Sequence, residues 1–160
     1  MRKFLNYKSG QSLIEVLIAF AVTVIIGVGL ISASLVTQRA STSARNNAQA
    51  TKLAQQYIEQ VRVIRDLKGY VSLPSAAGCY KISAPSTDPN SWTLLGTGVG
   101  APCSTISGDV VNIPEFKAVF TRDLELAAPV NNTRKVTVRV SWAEGTNTRS
   151  VQLESTLSQW

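Results

Sequence analysis

The chain has no histidine and only two cysteines, Cys79 and Cys103, among its 160 residues. Without histidine, Ser-His-Asp and Cys-His catalytic arrangements are excluded, and two thiols are too few for most zinc sites. Glycine-rich phosphate loops of the GxGxxG or GxxxxGK form are also missing from the sequence. The composition therefore predicts a protein that is not an enzyme and that binds neither a metal ion nor a cofactor.

Long runs of basic residues are missing as well. The net charge is +6, but Arg2, Lys3 and Lys8 precede the first apolar run and leave thirteen basic against ten acidic residues after it. These thirteen are scattered, and none of their runs is longer than Arg134-Lys135. Because a nucleic-acid footprint needs clustered lysine and arginine, this distribution argues against a nucleic-acid partner.

Polar side chains are nearly missing from one stretch near the N-terminus. From Val16 to Ile31, Thr23 has the only side chain with a hydrogen-bonding group. The apolar run from Leu13 to Val36 contains 24 residues, and a helix of about 20 residues crosses a bilayer. This run therefore predicts a membrane-spanning helix. Since basic residues before a span stay in the cytoplasm, we expect the N-terminus inside and everything after Val36 outside.

One carboxylate, Glu15, lies near the start of this apolar run. An ionisable group at the centre of a bilayer costs about 2.5–3.5 kcal/mol even on lenient insertion scales, so Glu15 needs a reason to be there. Two interpretations of the N-terminus are open. Residues 1–10 are either the start of an uncleaved signal anchor or a basic leader that is cut off on the cytoplasmic side.

The residues at this junction read Lys8-Ser9-Gly10, followed by Gln11-Ser12-Leu13-Ile14-Glu15-Val16-Leu17-Ile18-Ala19. This motif resembles the leader junction of type IV prepilins and type II secretion pseudopilins. The resemblance implies that a membrane peptidase cuts between Gly10 and Gln11 and that Gln11 is then N-methylated, although the family usually has phenylalanine at this position. It also implies that Glu15 offsets the N-terminal amine of a neighbouring subunit during filament assembly.

The helix signal continues beyond the apolar run. Residues 37–52 are polar, and a stripe with a period of 3.6 residues follows. Its members are Ala50, Leu53, Ala54, Tyr57, Val61, Ile64 and Leu67. No proline occurs before Pro74, and Gly69 is a plausible stop. The sequence therefore predicts one helix from Ser12 to Lys68, with residues 11–36 as its membrane half and residues 37–68 as its outer half.

The remainder, residues 69–160, is predicted to form a globular head. Residues 70–115 are rich in proline, glycine and serine, with two short strand candidates at Gly78–Ile82 and Trp92–Leu95. Two cysteines in an exported domain usually pair, so we expect a disulfide closing the loop 79–103, with two free thiols as the alternative. Such a bond would stabilise the head by about 3–4 kcal/mol in the chain-entropy model.

The last part of the chain, about 116–158, has the alternating pattern of β-strands. Strands are predicted from Phe116 to Leu126, around Val136–Trp142 and around Val151–Leu157, with a turn at Asn131-Asn132 and a connection at Ala143–Asn147. This is an antiparallel meander with one apolar face, which would cover the apolar stripe of the helix. The predicted fold class is therefore α+β, a long N-terminal helix packed on a C-terminal antiparallel sheet.

This order of elements resembles the pilin architecture, and the C-terminal strands resemble minor pilins of the pilus-modification type. The resemblance implies a structural subunit of a type IV pilus-like filament, anchored in the cytoplasmic membrane and then assembled outside it. Its partners would be the prepilin peptidase and N-methyltransferase, other pilin subunits and an inner-membrane assembly platform. The alternatives are a type II secretion pseudopilin, a DNA-uptake pilin, and a membrane-anchored binding domain that never polymerises.

Overall fold

A computed structural model describes residues 9–83, 87–100, 103, 108–116 and 118–159 of the chain. By its internal contacts the chain divides into two units, Met1–Thr42 and Ser43–Trp160. The elements are α1 (Ser9–Lys68), β1 (Gly78–Ser83), β2 (Thr93–Val99), β3 (Asp109–Asn112), β4 (Val119–Leu126), β5 (Thr133–Glu144) and β6 (Asn147–Ser158). Short 3-10 turns at Tyr70–Ser72 and Pro89–Ser91 complete the list of described elements.

Helix α1 runs for 60 residues, so the predicted single helix is confirmed and begins three residues earlier than expected. It ends before Gly69, whose φ of 83° lies in the left-handed region that favours glycine. In the second unit the head half of α1, Ser43–Lys68, buries the predicted stripe. Leu67 is the exception, because it is 53% exposed. At 3.6 residues per turn Leu67 lies about 80° from Tyr57, which places it outside the buried stripe. Ile58, which is not a member of the predicted stripe, is buried in the core.

The six strands form one antiparallel sheet in the order β2-β1-β4-β5-β6, with β3 pairing on β4. The α+β fold class is therefore confirmed, but the sheet is larger than the predicted three-strand meander. Strands β1, β2 and β3 extend it into the segment that was predicted to be mainly loop. Strand β4 also begins at Val119 and not at Phe116.

The meander of β4, β5 and β6 is held in register by two short turns. Asn131 and Asn132 have φ values of 48° and 58°, a conformation that asparagine tolerates better than most residues. At the other end the predicted five-residue connection is wrong, since Glu144 already pairs with Asn147. Gly145, with a φ of 64°, makes this tight two-residue connection possible.

The core lies between the head half of α1 and the inner face of the sheet. Alternation along β5 places Val136, Val138, Val140 and Trp142 in this core. Tyr57 and Ile64 of the helix are also almost completely buried. Burying one aliphatic side chain such as Val138 or Ile64 contributes about 1.5–3 kcal/mol. The helix stripe and the apolar sheet face therefore stabilise each other.

Hydrogen bonds from two sites and one disulfide hold the head together in addition to its hydrophobic core. The Tyr57 hydroxyl accepts a hydrogen bond of 3.0 Å from the Ile82 backbone N–H and ties the helix to β1. Cys79 and Cys103 form the predicted disulfide, with their Cα atoms 5.0 Å apart. Arg134, only 2% exposed, donates hydrogen bonds to the carbonyl groups of Ala127, Pro74 and Ala76.

Candidate assembly and membrane-anchoring element

The membrane half of α1, Leu13–Val36, has an almost wholly exposed apolar surface. Fifteen of its large apolar side chains are between 48% and 71% exposed. The most apolar 18-residue window of the helix has a mean hydropathy of 2.7, and none of that window is buried. This is one helix long and apolar enough to cross a membrane. Such a surface requires an apolar environment, supplied either by lipid or by other helices.

Hydroxyl groups in and just after this segment donate hydrogen bonds within the helix itself. Thr23 Oγ1 donates to the Ala19 carbonyl at 2.8 Å, and Ser32 Oγ donates to the Val28 carbonyl at 2.9 Å. Thr37 makes the same bond to Ala33 at 2.9 Å. In hydrocarbon an unpaired polar group costs several kcal/mol, so these bonds make the segment compatible with lipid. The sequence alone did not reveal this pairing.

Glu15 differs from those hydroxyl groups. Its side chain is exposed on α1, and no ion pair or hydrogen bond to it occurs among the residues that the structure describes. A carboxylate in an apolar segment is stable at a polar surface or when it is paired with a cation.

The predicted processing junction lies at the beginning of α1. Gly10 and Gln11 belong to the helix backbone, since α1 starts at Ser9. The side chain of Gln11 and the basic residues Arg2, Lys3 and Lys8 lie outside what the structure describes. Cleavage and methylation at this junction therefore stay predictions from the sequence.

In the head, several polar groups surround the buried Tyr57. The guanidinium of Arg122 lies 4.3 Å from the centroid of the Tyr57 ring and pairs with Asp109. Burial raises the pKa of the Tyr57 hydroxyl, while the hydrogen bond from Ile82 and the charge of Arg122 act in the opposite direction. No pattern in the sequence identified Arg122 as a neighbour of Tyr57.

Two carboxylates on the outer face of the sheet have pKa values that are shifted in opposite directions. Burial raises the pKa of Asp123, and the opposing effect of Arg139 is smaller. Glu154 has a lowered pKa, mainly because Lys135 donates a hydrogen bond to it. The Lys135–Glu154 distance is 2.8 Å. Each shift is explained by burial or by a neighbouring residue of the same sheet.

Several basic residues of the head form ion pairs with acids. Arg62 pairs with Glu59 at 2.5 Å, and Arg149 pairs with Glu144 at 3.3 Å. Within the described ranges, no group of three His, Cys, Asp or Glu side chains is placed to hold a metal ion.

No protein-family model, no curated protein and no solved structure matches the chain. The residues and geometry of the chain itself carry the functional inference.

Proposed function

We propose that this chain is a structural subunit of a type IV pilus-like filament, in the role of a minor pilin. Its leader, residues 1–10, is removed at Gly10–Gln11, and the subunit then leaves the membrane and joins the filament through α1. The observation that carries this proposal is the division of one 60-residue helix into two halves of opposite burial.

The length of α1 supports assembly over simple anchoring. About 20 helical residues suffice to cross a bilayer, whereas α1 continues from its apolar half into a half that docks on the sheet. A membrane anchor alone does not need the extra turns. A subunit that passes from lipid to a filament needs an apolar helix that suits both environments.

Glu15 supports the same proposal through its electrostatics. In low dielectric an unpaired carboxylate and an unpaired amine are each costly, and they attract strongly when paired. A neighbouring subunit that begins at Gln11 would present such an amine. Pairing it with Glu15 would fix the axial register of the two helices, because any other register leaves both charges without a partner.

The resemblance at the leader junction also suggests the partners and the location. A prepilin peptidase with N-methyltransferase activity would process Gln11, and an inner-membrane platform would extract the subunit. The N-terminus would lie on the cytoplasmic side, with the head on the outer side of the membrane and later on the filament surface. A type II secretion pseudopilin would use the same residues in a shorter filament.

The experiment compares Glu15→Gln with Glu59→Gln in the native host and measures incorporation into sheared, pelleted filaments. Glu59 is an exposed acid on the same helix, and its ion pair with Arg62 lies at the surface, where such pairs contribute little. We expect at least a tenfold loss of incorporation for Glu15→Gln and normal incorporation for Glu59→Gln. Equal incorporation of both variants would contradict the proposed pairing of Glu15 with the amine of a neighbouring subunit.

A further inference from the structure

The proposed processing step would make glutamine the first residue of the mature chain. Cleavage between Gly10 and Gln11 would free the α-amine of Gln11, and the same residue carries a side-chain carboxamide. Joining the α-nitrogen to the carboxamide carbon closes a five-membered ring. Both reacting groups belong to one residue, so this ring closure needs no particular arrangement of the folded chain. Phenylalanine, which the resembled family usually has at this position, has no carboxamide and cannot react in this way.

The ring closure is an intramolecular acyl transfer. The lone pair of the Gln11 α-nitrogen attacks Cδ of the carboxamide, the N–Cδ bond forms and the Cδ–Nε2 bond breaks. One hydrogen of the amine passes to the leaving nitrogen, which departs as ammonia. Nothing is oxidised or reduced, and no co-reactant is consumed. An α-amine is a weaker base than lysine or arginine, so part of it is neutral and has a free lone pair at about pH 7.

N-methylation of the amine does not prevent this reaction. The methylated nitrogen still has a lone pair and one hydrogen, which are all that the acyl transfer requires. In either case the product is a lactam, whose amide nitrogen carries no charge. Ring closure therefore removes the positive charge from the N-terminus of the mature chain.

This charge is important because the membrane half of α1 contains no other cation. From Gln11 to Gln38 the only charged side chain is that of Glu15. The next charged residue, Arg39, lies about 36 Å from Glu15 along the helix. The α-amine is therefore the one positive group that the N-terminal part of a second copy offers to Glu15.

Glu15 has no replacement for that amine among the residues that the structure describes. Its side chain is exposed, and none of the ion pairs of the described chain includes it. The hydroxyl groups of Thr23 and Ser32 donate to carbonyl groups of their own helix. A carboxylate that loses its cation in low dielectric is costly, so a lactam at the neighbouring N-terminus would leave Glu15 unpaired.

We propose that Gln11 of the processed chain cyclises to this lactam in subunits that wait in the membrane and that cyclised subunits no longer join the filament, an inference that rests on the proposed function. Gln11 then limits assembly by age, because a subunit that assembles soon after processing keeps its amine. Within the filament, pairing with Glu15 keeps the amine protonated. The protonated amine has no free lone pair, so assembled subunits are protected from the reaction.

The test uses the full chain in its native host, expressed from an inducible promoter. Synthesis of this chain is stopped, existing filaments are sheared off, and new filaments grow from the aged membrane pool of processed subunits. Mass spectrometry measures the share of N-terminal peptides that have lost one ammonia, both in the pool and in the new filaments. A synthetic heavy-isotope peptide with the same N-terminus, added at lysis, reports ring closure during sample handling.

We expect the lactam share of the membrane pool to rise with time after synthesis stops. In the new filaments this share should be about tenfold lower than in the pool, because the lactam cannot neutralise Glu15. The matched control is Gln11→Met, which has a side chain of similar length without a carboxamide. This variant should enter filaments equally well from fresh and aged pools, whereas entry of the wild type should decline as the pool ages.

The outcomes separate this inference from the proposed function. A mature chain that begins at Gln11 but loses no ammonia in the aged pool overturns the inference and leaves the pilin proposal standing. Equal lactam shares in the pool and in the new filaments, or an equal decline of the wild type and Gln11→Met, have the same consequence. A chain that keeps residues 1–10 overturns both, because no α-amine is then freed at Gln11.

Discussion

The two halves of α1 obtain their stability in opposite ways. In Leu13–Val36 the large apolar side chains are at least 48% exposed, whereas Ala50, Tyr57, Val61 and Ile64 of the head half are at most 2% exposed. The head half is covered by the sheet of its own chain. The membrane half depends on an environment that the isolated chain does not provide.

This difference assigns a separate task to each half. A substitution in the head half should change the folding of the head, because its contacts lie within the chain. A substitution in the membrane half should change insertion or assembly and leave head stability unaltered. The predictions below test this separation, beginning with the largest expected effect.

The first prediction compares two aromatic residues of the same helix. Tyr57 is 1% exposed and Phe20 is 69% exposed. Tyr57→Ala should destabilise the head by about 3–5 kcal/mol, the range for removing a buried aromatic ring. Phe20→Ala should leave the free energy of head unfolding unchanged. Chemical denaturation of the full chain in detergent, followed by tryptophan fluorescence, measures both. A similar loss for both variants would break the division between the halves.

The second prediction concerns the disulfide of the head. Replacing Cys79 and Cys103 together by alanine should lower the free energy of unfolding by about 3–4 kcal/mol, because the bond restricts the unfolded chain. Insertion of the membrane half should be unaffected, since Leu13–Val36 has no part in this bond. Denaturation and carbonate extraction of membranes give the two readouts. A double variant that is lost from the membrane while its head stays folded would contradict this.

The third prediction concerns the buried cation of β5. Arg134→Met should cost about 2 kcal/mol, because it leaves the carbonyl groups of Pro74, Ala76 and Ala127 without their donor. Arg139→Met on the same strand is the control, and its exposed site should tolerate the change within about 0.5 kcal/mol. Equal costs would show that the three carbonyl groups find other donors.

The fourth and smallest prediction concerns pH. Burial raises the pKa of Asp123 in the folded head. Head stability should therefore fall as the pH rises above the lower pKa that Asp123 has in the unfolded chain. Glu154 has a lowered pKa, so its contribution is present near pH 7 and is lost as pH falls through its folded pKa. From pH 3 to pH 7 the stability of Asp123→Asn should therefore rise relative to that of the wild type. The stability of Glu154→Gln should fall relative to that of the wild type over the same range. Denaturation at both pH values checks the two signs.

The helix and the last three strands were predictable because their signals are local. The stripe of Ala50, Leu53 and Tyr57 has the helical period, and the alternation from Val136 to Trp142 is typical of a strand. Strand β3 was missed because Asp109–Asn112 has four residues and is defined by its pairing with β4. Strand β2 was predicted only in part, because its glycines resemble a loop until β1 is placed beside it.

The polar contacts of the head were not predictable for a related reason. Arg134 meets carbonyl groups 58 and 60 residues away, and Arg122 meets Tyr57 only after the helix docks on β4. No pattern in the sequence marks such pairs. Cys79 and Cys103 were predictable because the chain has only two cysteines. Glu15 was identified because a carboxylate is rare at the start of an apolar run.

The central claim is that α1 serves as a processed assembly helix and not as a permanent anchor. Mass spectrometry of the intact protein, purified from the membranes and sheared filaments of its host, tests this claim most directly. The account predicts a chain that begins at N-methylated Gln11 in both fractions. A chain that retains residues 1–10 and occurs only in the membrane fraction would contradict it.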